Sequence, residues 1–395
     1  MIPRKKIDIT LPIVAQGFAG CLSFRNRDLV SRDIETNWDP SRARFNLACL
    51  SVRSGFDALL SALDLPLGSE VLMSAVNIAD MVRIVESHGL VPVAVDLDKE
   101  NLQVDPQALI RSWSPRVRMI VVAHLFGMRS SLGEIVDFCN KNNVLLVEDC
   151  AQAYTGDSWR GEAASDVTFF SFGPVKTATA LGGAVIGFRD QPLCESVKAV
   201  MAKWPVQRRS TYARRLLKYA FMIPFGMPSV FGAFVGLCRL LGLRYEAIVS
   251  GAVKGFTGMD FFRQLRQQPS LPLLLLLRNR IRLGVSTETL VRMERANLLR
   301  SLLAGRSGVR STGHAHWLFP IMHEDKKVLI EHLALRGFDA AEKASSIGVI
   351  AAPYGREKAV KMTEVFESLV YVPAHEVMSE ADVKRLAAAI AEVSC

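Results

Sequence analysis

Between residues 45 and 188 the chain alternates short β-branched, apolar runs with longer stretches of helical period, and this alternation restricts the fold more than any other feature. Strands are expected at 71–73, 91–95, 119–123, 144–147, 167–172 and 184–188, with helices at 54–63, 81–88 and 132–142. Parallel neighbours need a crossover long enough for a helix, so repeated β-α units predict a largely parallel sheet with helices on both faces. Ligands of such sheets lie beyond the carboxyl ends of the strands. At one such end the apolar run 144–147 breaks into Glu148 and Asp149, in VEDCAQA. A carboxylate at the rim of a sheet is costly to desolvate without a cationic partner, so Asp149 is expected to meet one.

Lys176 is the candidate partner. The expected strand 167–172 ends in Gly173-Pro174 and delivers this single lysine ahead of a small-residue loop with Gly182 and Gly183. A lysine in an apolar, partly desolvated loop has its pKa lowered and becomes nucleophilic toward carbonyls, which makes an aldehyde cofactor its natural partner. In pyridoxal phosphate enzymes such a lysine forms an imine with the cofactor while a carboxylate pairs with the protonated ring nitrogen. Lys176 and Asp149 suit those two tasks, although by spacing alone a lysine after a strand is usually a solvated loop residue. His124, ending the expected strand 119–123, is a further polar candidate, with a hydrogen-bonded structural histidine as the alternative. His314, His316 and His375 form no i, i+4 pair with an acid, so no metal site is expected.

With 395 residues, half of them hydrophobic, the chain can bury a large core, as one big domain and a smaller one. The net charge of +9 admits an anionic partner such as a nucleotide, a phosphate or a membrane surface. Finger-type Cys/His spacing, an aromatic RNA-binding signature and a basic tail are all missing, so nucleic acid is not expected. The seven cysteines are scattered and never spaced as C-x-x-C, which suits a reduced, cytoplasmic compartment. The opening MIPRKKIDITLPIVAQGF is too interrupted for a secretory signal, and the mature chain is expected to begin there.

After Asp190 the composition changes. Residues 204–218 are strongly basic and 219–238 carry no charge. The uncharged piece has about the length of a membrane span, ~20 residues, but Pro224, Pro228, Gly226, Gly232 and Gly236 interrupt a simple helix, and Arg239 and Arg244 make the far flank basic as well. Three readings stay open for the insert 204–244: a helical hairpin that dips into a membrane surface, a buried core or dimer-interface insertion, and a true span. The run 271–277 is read as a core or dimer helix. Helices at 288–303, 327–336 and 380–393 and strands at 316–322 and 368–372 then make a C-terminal α/β domain. The division is drawn as 1–250, a large cofactor-binding domain with the insert, and 251–395, linker helices and the small domain.

Six stretches occur in a telling order: SGFDALLSAL, LGSEVLMSA, VPVAVDLD, VVAHLFGM, VEDCAQA and the SF-x-x-x-K segment 171–176. On these the chain, from Ile2 to about Val393, resembles the DegT/DnrJ/EryC1/StrS family of fold-type-I pyridoxal-phosphate aminotransferases, best known for aminating nucleotide-linked keto sugars. The resemblance implies a mostly parallel seven-stranded sheet flanked by helices, a smaller C-terminal α/β domain, pyridoxal 5'-phosphate as cofactor, and a homodimer with sites at the subunit boundary. It implies Lys176 as the imine-forming lysine and Asp149 as the ring-nitrogen partner. Gln152 falls close to the ring and its phenolic oxygen, Ser171 at a phosphate-binding serine, and Ser54 and Gly55 at the start of a turn whose N–H groups hold the phosphate. Without the resemblance, SGFDAL reads as a helix N-cap and an amphipathic helix.

Four departures accompany the match. Phe56 replaces a threonine that assists the phosphate, and Asn77 and Ile78 stand where a threonine and a ring-stacking aromatic are usual. Ala180-Leu181-Gly182-Gly183 lacks the acid of the family's turn, and the segment usually lent by the neighbouring subunit corresponds at best to Arg266-Gln267-Gln268-Pro269-Ser270. The expected activity is amino transfer from a small-molecule donor, glutamate or glutamine, to a keto acceptor, either a nucleotide-linked keto sugar or, given the insert, a lipid-linked or hydrophobic carbonyl. Two alternatives remain. One is a pyridoxal-phosphate sugar dehydratase, whose members tend to carry histidine in place of the lysine. The other is a catalytically degenerate, membrane-associated binding or scaffold protein, motivated by Phe56, Ile78 and Leu181.

Overall fold

A computed structural model describes residues 1–253, 260–303, 315–343, 347–353 and 358–393. The large sheet and its neighbouring ladder use β1 (Phe45–Cys49), β2 (Glu70–Ser74), β3 (Val76–Ile78), β4 (Val91–Val95), β5 (Val117–Ala123), β6 (Leu145–Asp149), β7 (Val167–Ser171) and β8 (Ala184–Phe188). Seven of these form one sheet in the order β1-β8-β7-β6-β5-β2-β4. Only β8 runs against its neighbours; the other pairings are parallel. Because helices cover both faces, a strand such as β2 is buried along its whole length, which is why it reads as a continuous apolar run rather than an alternating one.

On one face lie helices Val52–Leu63 and Gln191–Ala202, packed on each other and on the sheet. The other face carries Leu11–Cys21, Arg27–Asn37 and Leu271–Arg282. The expected leucine helix is thus a core helix here: Leu273, Leu274 and Leu277 are fully buried in the cluster that also holds Phe170 and Phe172. Gly20 brings Leu11–Cys21 so close to it that an added Cβ would stand 3.3 Å from the Pro272 backbone.

The C-terminal part pairs β9 (Phe319–Met322) antiparallel with β11 (Leu369–Val372) and packs helices Thr287–Leu302, Lys326–Leu335 and Glu380–Val393 around them. A short strand, β10 (Ile347–Val349), reaches back to pair with β3. The strand expected at 316–322 is shorter because His316 takes a positive φ of 46°. The N–H groups of Ala315 and Trp317 bond instead to the carbonyls of Gly127 and Phe126, at 2.7 and 2.9 Å. The first residues of the chain join this C-terminal core: Ile2 bridges to Phe338 and is buried among its apolar residues. Arg4 pairs with Asp339 at 3.1 Å, and His375 Nε2 donates to the Pro3 carbonyl at 2.6 Å.

The insert folds as Arg209–Met222 and Pro228–Leu240, joined by a 3-10 turn at Ile223–Gly226 and bent by 96°. Pro228 starts the second helix, which is the break that the prolines and glycines led us to expect. Among the described residues no single helix is long and apolar enough to cross a membrane, though this bent pair passes a length and composition test together. Tyr212, Leu216 and Tyr219 turn inward. Phe221 and Leu240 are 70% and 83% exposed.

Candidate active site

Strands β6 and β7 run side by side and end at Asp149 and Ser171. Adjacent residues of a strand point to opposite faces, and the two rim acids behave accordingly. Glu148 is fully buried in a closed polar knot: its Oε2 accepts from His124 Nε2 at 2.8 Å and its Oε1 from the Glu162 N–H at 2.8 Å. His124 Nδ1 accepts from the Ser130 N–H at 3.0 Å, which leaves the proton on Nε2. His124, Glu148 and Cys150 bring ligand-type atoms within 4.8 Å of one another. Burial, with Glu148 and Asp149 nearby, pushes the Cys150 thiol well up, and both nitrogens of His124 are already engaged. The trio is therefore a hydrogen-bonded unit, and His124 offers no free nitrogen to a ligand.

Asp149 is left open. Its Oδ1 accepts from the Ala151 N–H at 3.0 Å, and among the described residues nothing donates to Oδ2. Burial raises its carboxyl above the usual range, while the Ala151 N–H, Lys176, His124 and Arg53 pull it back down. Lys176 is its charge partner. Burial lowers this amine from 10.5 to about 8, against the upward pull of Asp149, and Arg53 lowers it further. The ammonium stands 4.1 Å from the centre of the Trp317 ring, whose Nε1 donates to the Val175 carbonyl at 2.6 Å.

The loop that carries the lysine is tightly braced. Ala178 and Leu181 take positive φ values of 51° and 58°, strained for residues with a Cβ. Thr179 Oγ1 lies 2.6 Å from the Gly173 carbonyl and 3.1 Å from that of Phe172, and accepts from the Leu181 N–H at 2.9 Å. From the insert, the Tyr212 hydroxyl donates to the Ala180 carbonyl at 2.8 Å and Arg215 to that of Leu181 at 3.2 Å. Asp8 accepts from the Ala178 N–H, and Arg292 donates to Thr177 Oγ1 at 3.0 Å.

Ser54 lies in the first turn of helix Val52–Leu63, where Ser51 caps it: the Ser54 N–H donates to Ser51 Oγ at 3.1 Å and the two hydroxyls meet at 2.9 Å. Gly55 is closely packed. Its N–H bonds to the Ser51 carbonyl, and a Cβ there would fall 2.2 Å from Ile186 Cδ1. Phe56, which stands where the family has a threonine, has its ring fully buried in the core, edge-on to Phe169 at 6.1 Å. Ile78 is partly buried at the end of β3, and its N–H donates to Asn77 Oδ1 at 2.8 Å. The Nδ2 of buried Asn77 has no partner among the described residues. Gln152 Oε1 accepts from the Phe126 N–H at 2.7 Å, and Ser171 Oγ only a long bond from Gly173, at 3.4 Å. Arg266 is tied within its own chain, to buried Asp57 at 2.8 and 3.0 Å. Sequence reasoning missed Arg53, Trp317 and Lys5. Arg53 alone carried a signal, standing next to Ser54 at a helix start, where it pairs with Asp80 at 2.7 Å.

The mixed seven-stranded sheet with helices on both faces is an architecture that solved aminotransferases share. A sugar aminotransferase, CalS13 from Micromonospora echinospora, superposes with a TM-score of 0.70 at 18% identity, each chain covered over 100% of its length. A GDP-4-keto-6-deoxymannose-3-dehydratase, ColD, superposes with a TM-score of 0.72 at 13% identity over 99% of this chain and 100% of that one, so the fold is shared across reaction types. Residues 41–220 match the model of the DegT/DnrJ/EryC1/StrS aminotransferase family, and the chain is similar to that family over this stretch. Among curated relatives, the dTDP-3-amino-3,6-dideoxy-alpha-D-galactopyranose transaminase of Aneurinibacillus thermoaerophilus is 31% identical over 130 residues, 31% of this chain and 36% of that one. The matched stretches span 35% to 43% of the length of such relatives.

Proposed function

We propose that the protein is a pyridoxal-phosphate-dependent aminotransferase that moves an amino group from glutamate or glutamine to a keto acceptor, a nucleotide-linked keto sugar or a lipid-linked, hydrophobic carbonyl. The observation that carries this is the electrostatic coupling of Lys176, its amine brought to about 8, to Asp149, whose Oδ2 is open. The residues fit the cofactor. Asp149 would hold the ring-nitrogen proton through Oδ2. Ser171, Ser51 and the open N–H groups at the start of helix Val52–Leu63 would hold the phosphate. Gln152, its carbonyl engaged with Phe126, has its NH₂ to offer the ring side. Asn77 Nδ2 is a further buried donor. When bound, the cofactor supplies an electron sink for the carbon that loses its proton.

The chain's own part is then positioning and proton transfer. Lys176 Nζ binds the aldehyde and, once displaced by the donor, takes a proton from the donor's α-carbon and returns it on the cofactor side. An amine poised near neutrality can do both. Trp317 lies against Nζ and excludes water there. Arg53, held by Asp80, keeps the amine from becoming too basic. A dehydratase reading has the shared fold in its favour, but Lys176 stands where that class tends to carry histidine.

Two finer elements complete the proposal. The protein works as a homodimer, as its family does, which sedimentation tests. Apolar Phe221 and Leu240, outward on an insert rich in arginine, support peripheral contact with an anionic membrane surface. The activity is tested on purified protein loaded with pyridoxal phosphate. The cofactor absorbance is expected to change on adding glutamate and to return on adding a keto-sugar acceptor. A protein that takes up no cofactor would sink the reading.

A further inference from the structure

A cavity of about 240 Å³ shares Arg4, Lys5, Lys6, Val175, Trp317 and Leu318 with the small recess at Lys176. The rest of its wall comes from the insert and the helix that follows: Met222, Phe225, Phe231 and Phe234, then Ile248 and Val249. The rings of Phe225 and Phe234 meet edge-on at 5.2 Å, and Phe231 packs against Tyr245 at 6.0 Å. Such a wall offers ordered water few of the polar partners it needs, whereas an apolar cavity of roughly 150 Å³ already accepts a benzene-sized guest.

The basic end is chemically distinct. Arg4 is neutralised by Asp339 and Lys6 by Glu376, at 3.1 and 2.9 Å. Lys5 pairs with no carboxylate among the described residues and stands 3.3 Å over the Trp317 ring. Burial and the neighbouring Lys176, Arg292 and Arg4 all push its amine down, and an anion there would give Lys5 the opposite charge it lacks among the described residues. Lys343 adds a further cation to the lining. Trp317 touches both lysine amines and lines both the cavity and the recess at Lys176, so the basic end of the cavity adjoins the reactive amine.

We infer that this cavity is the subsite for the hydrocarbon chain of an anionic amphiphilic acceptor. The chain lies among the phenylalanines of the insert, the phosphate or other anionic linker against Lys5 and Lys343, and the carbonyl-bearing end at Lys176. This rests on the aminotransferase reading and narrows its acceptor to a lipid-linked carbonyl compound. It also gives the insert a task that a nucleotide sugar would not require.

The test titrates the cofactor-loaded protein with alkyl phosphates from butyl to dodecyl, below their micelle concentrations, by calorimetry. Affinity is expected to rise about fourfold per added methylene until the chain fills the cavity, then to level off, with inorganic phosphate far weaker. Ala252→Phe, which places a ring in the cavity, is expected to weaken decyl phosphate by about tenfold or more, with folding checked by thermal melting. Should that variant melt early, a diazirine-bearing decyl phosphate on the unaltered protein replaces it, with labelling expected within 222–252 or at Trp317 and Leu318. Affinity independent of chain length, or a label placed elsewhere, overturns the inference. The glutamate half-reaction is measured on the same unaltered protein. A response to glutamate without chain dependence overturns the subsite alone, and chain dependence without that response overturns the aminotransferase reading instead.

Discussion

The lysine loop and the insert that braces it are built on opposite terms. In the loop every turn is tied: two non-glycine residues hold left-handed conformations because Thr179, Tyr212, Arg215 and Asp8 fix the carbonyls and N–H groups around them. In the insert the inward face is packed, but large apolar side chains also stand outward, and a cavity opens beside them. Strain persists only where surroundings over-determine it, commonly at sites of chemistry. Open apolar surface persists where something else covers it. On the proposed function, the contrast separates a region that would react from one that would receive.

The largest expected effect falls on the tied region. Lys176→Ala should reduce the glutamate half-reaction by about 10³-fold or more, read by cofactor absorbance. Lys176→Met should at the same time stabilise the fold near pH 7 by about 2 kcal/mol, since a charged amine is no longer held out of water. The sign follows from burial: the charge penalty is complete below about pH 8, shrinks as the folded amine deprotonates before the unfolded one, and is gone above 10.5. Denaturant titrations across that window should show the two proteins converge. If the loop reacted no differently from a surface turn, neither change would appear.

Next comes Asp149→Asn, expected to slow the half-reaction by on the order of 10²-fold. Because the carboxylate holds the proton on Lys176, its removal should also move the pH midpoint of borohydride-trapped cofactor attachment below about 8. A midpoint that rises would show that the two groups are not coupled as described. Thr179→Val removes the hydroxyl that ties the loop and should cost roughly 2 kcal/mol in thermal or chemical unfolding. The smallest effect belongs to the insert surface: Phe221→Ser should lower binding to anionic vesicles by about tenfold, with unfolding unchanged. Undiminished flotation would remove that face from the comparison.

The β-α half of the molecule was legible because its period is local. The strands at 91–95 and 184–188 and the helix at 380–393 fall where the sequence places them. Helix Leu11–Cys21 escaped notice because it is made mostly of apolar residues with two glycines and has no clear polar face. Phe56 is instructive in the other direction. Phe56, Leu59, Leu60 and Leu63 recur at helical spacing, a pattern that already assigns this ring to the core stripe rather than to a ligand. The pairings of Arg266 with Asp57 and of Trp317 with Lys176 had no sequence signal, since each joins residues more than a hundred positions apart. Asp149 was legible as a costly carboxylate, yet what distinguishes it from Glu148 depends on partners as distant as Glu162 and Ser130.

The seam formed by residues 2–4 sets the timetable of folding. Ile2 exchanges backbone bonds with Gly337 and Asp339, and the Pro3 carbonyl accepts from His375, so this segment finds its place only after more than three hundred further residues have been made. Until then that segment is loose, and the C-terminal half lacks one of its core side chains. Joining residues 2–4 to the 337–339 segment is a long chain closure, a kind of contact that forms more slowly than the local pairings of the sheet.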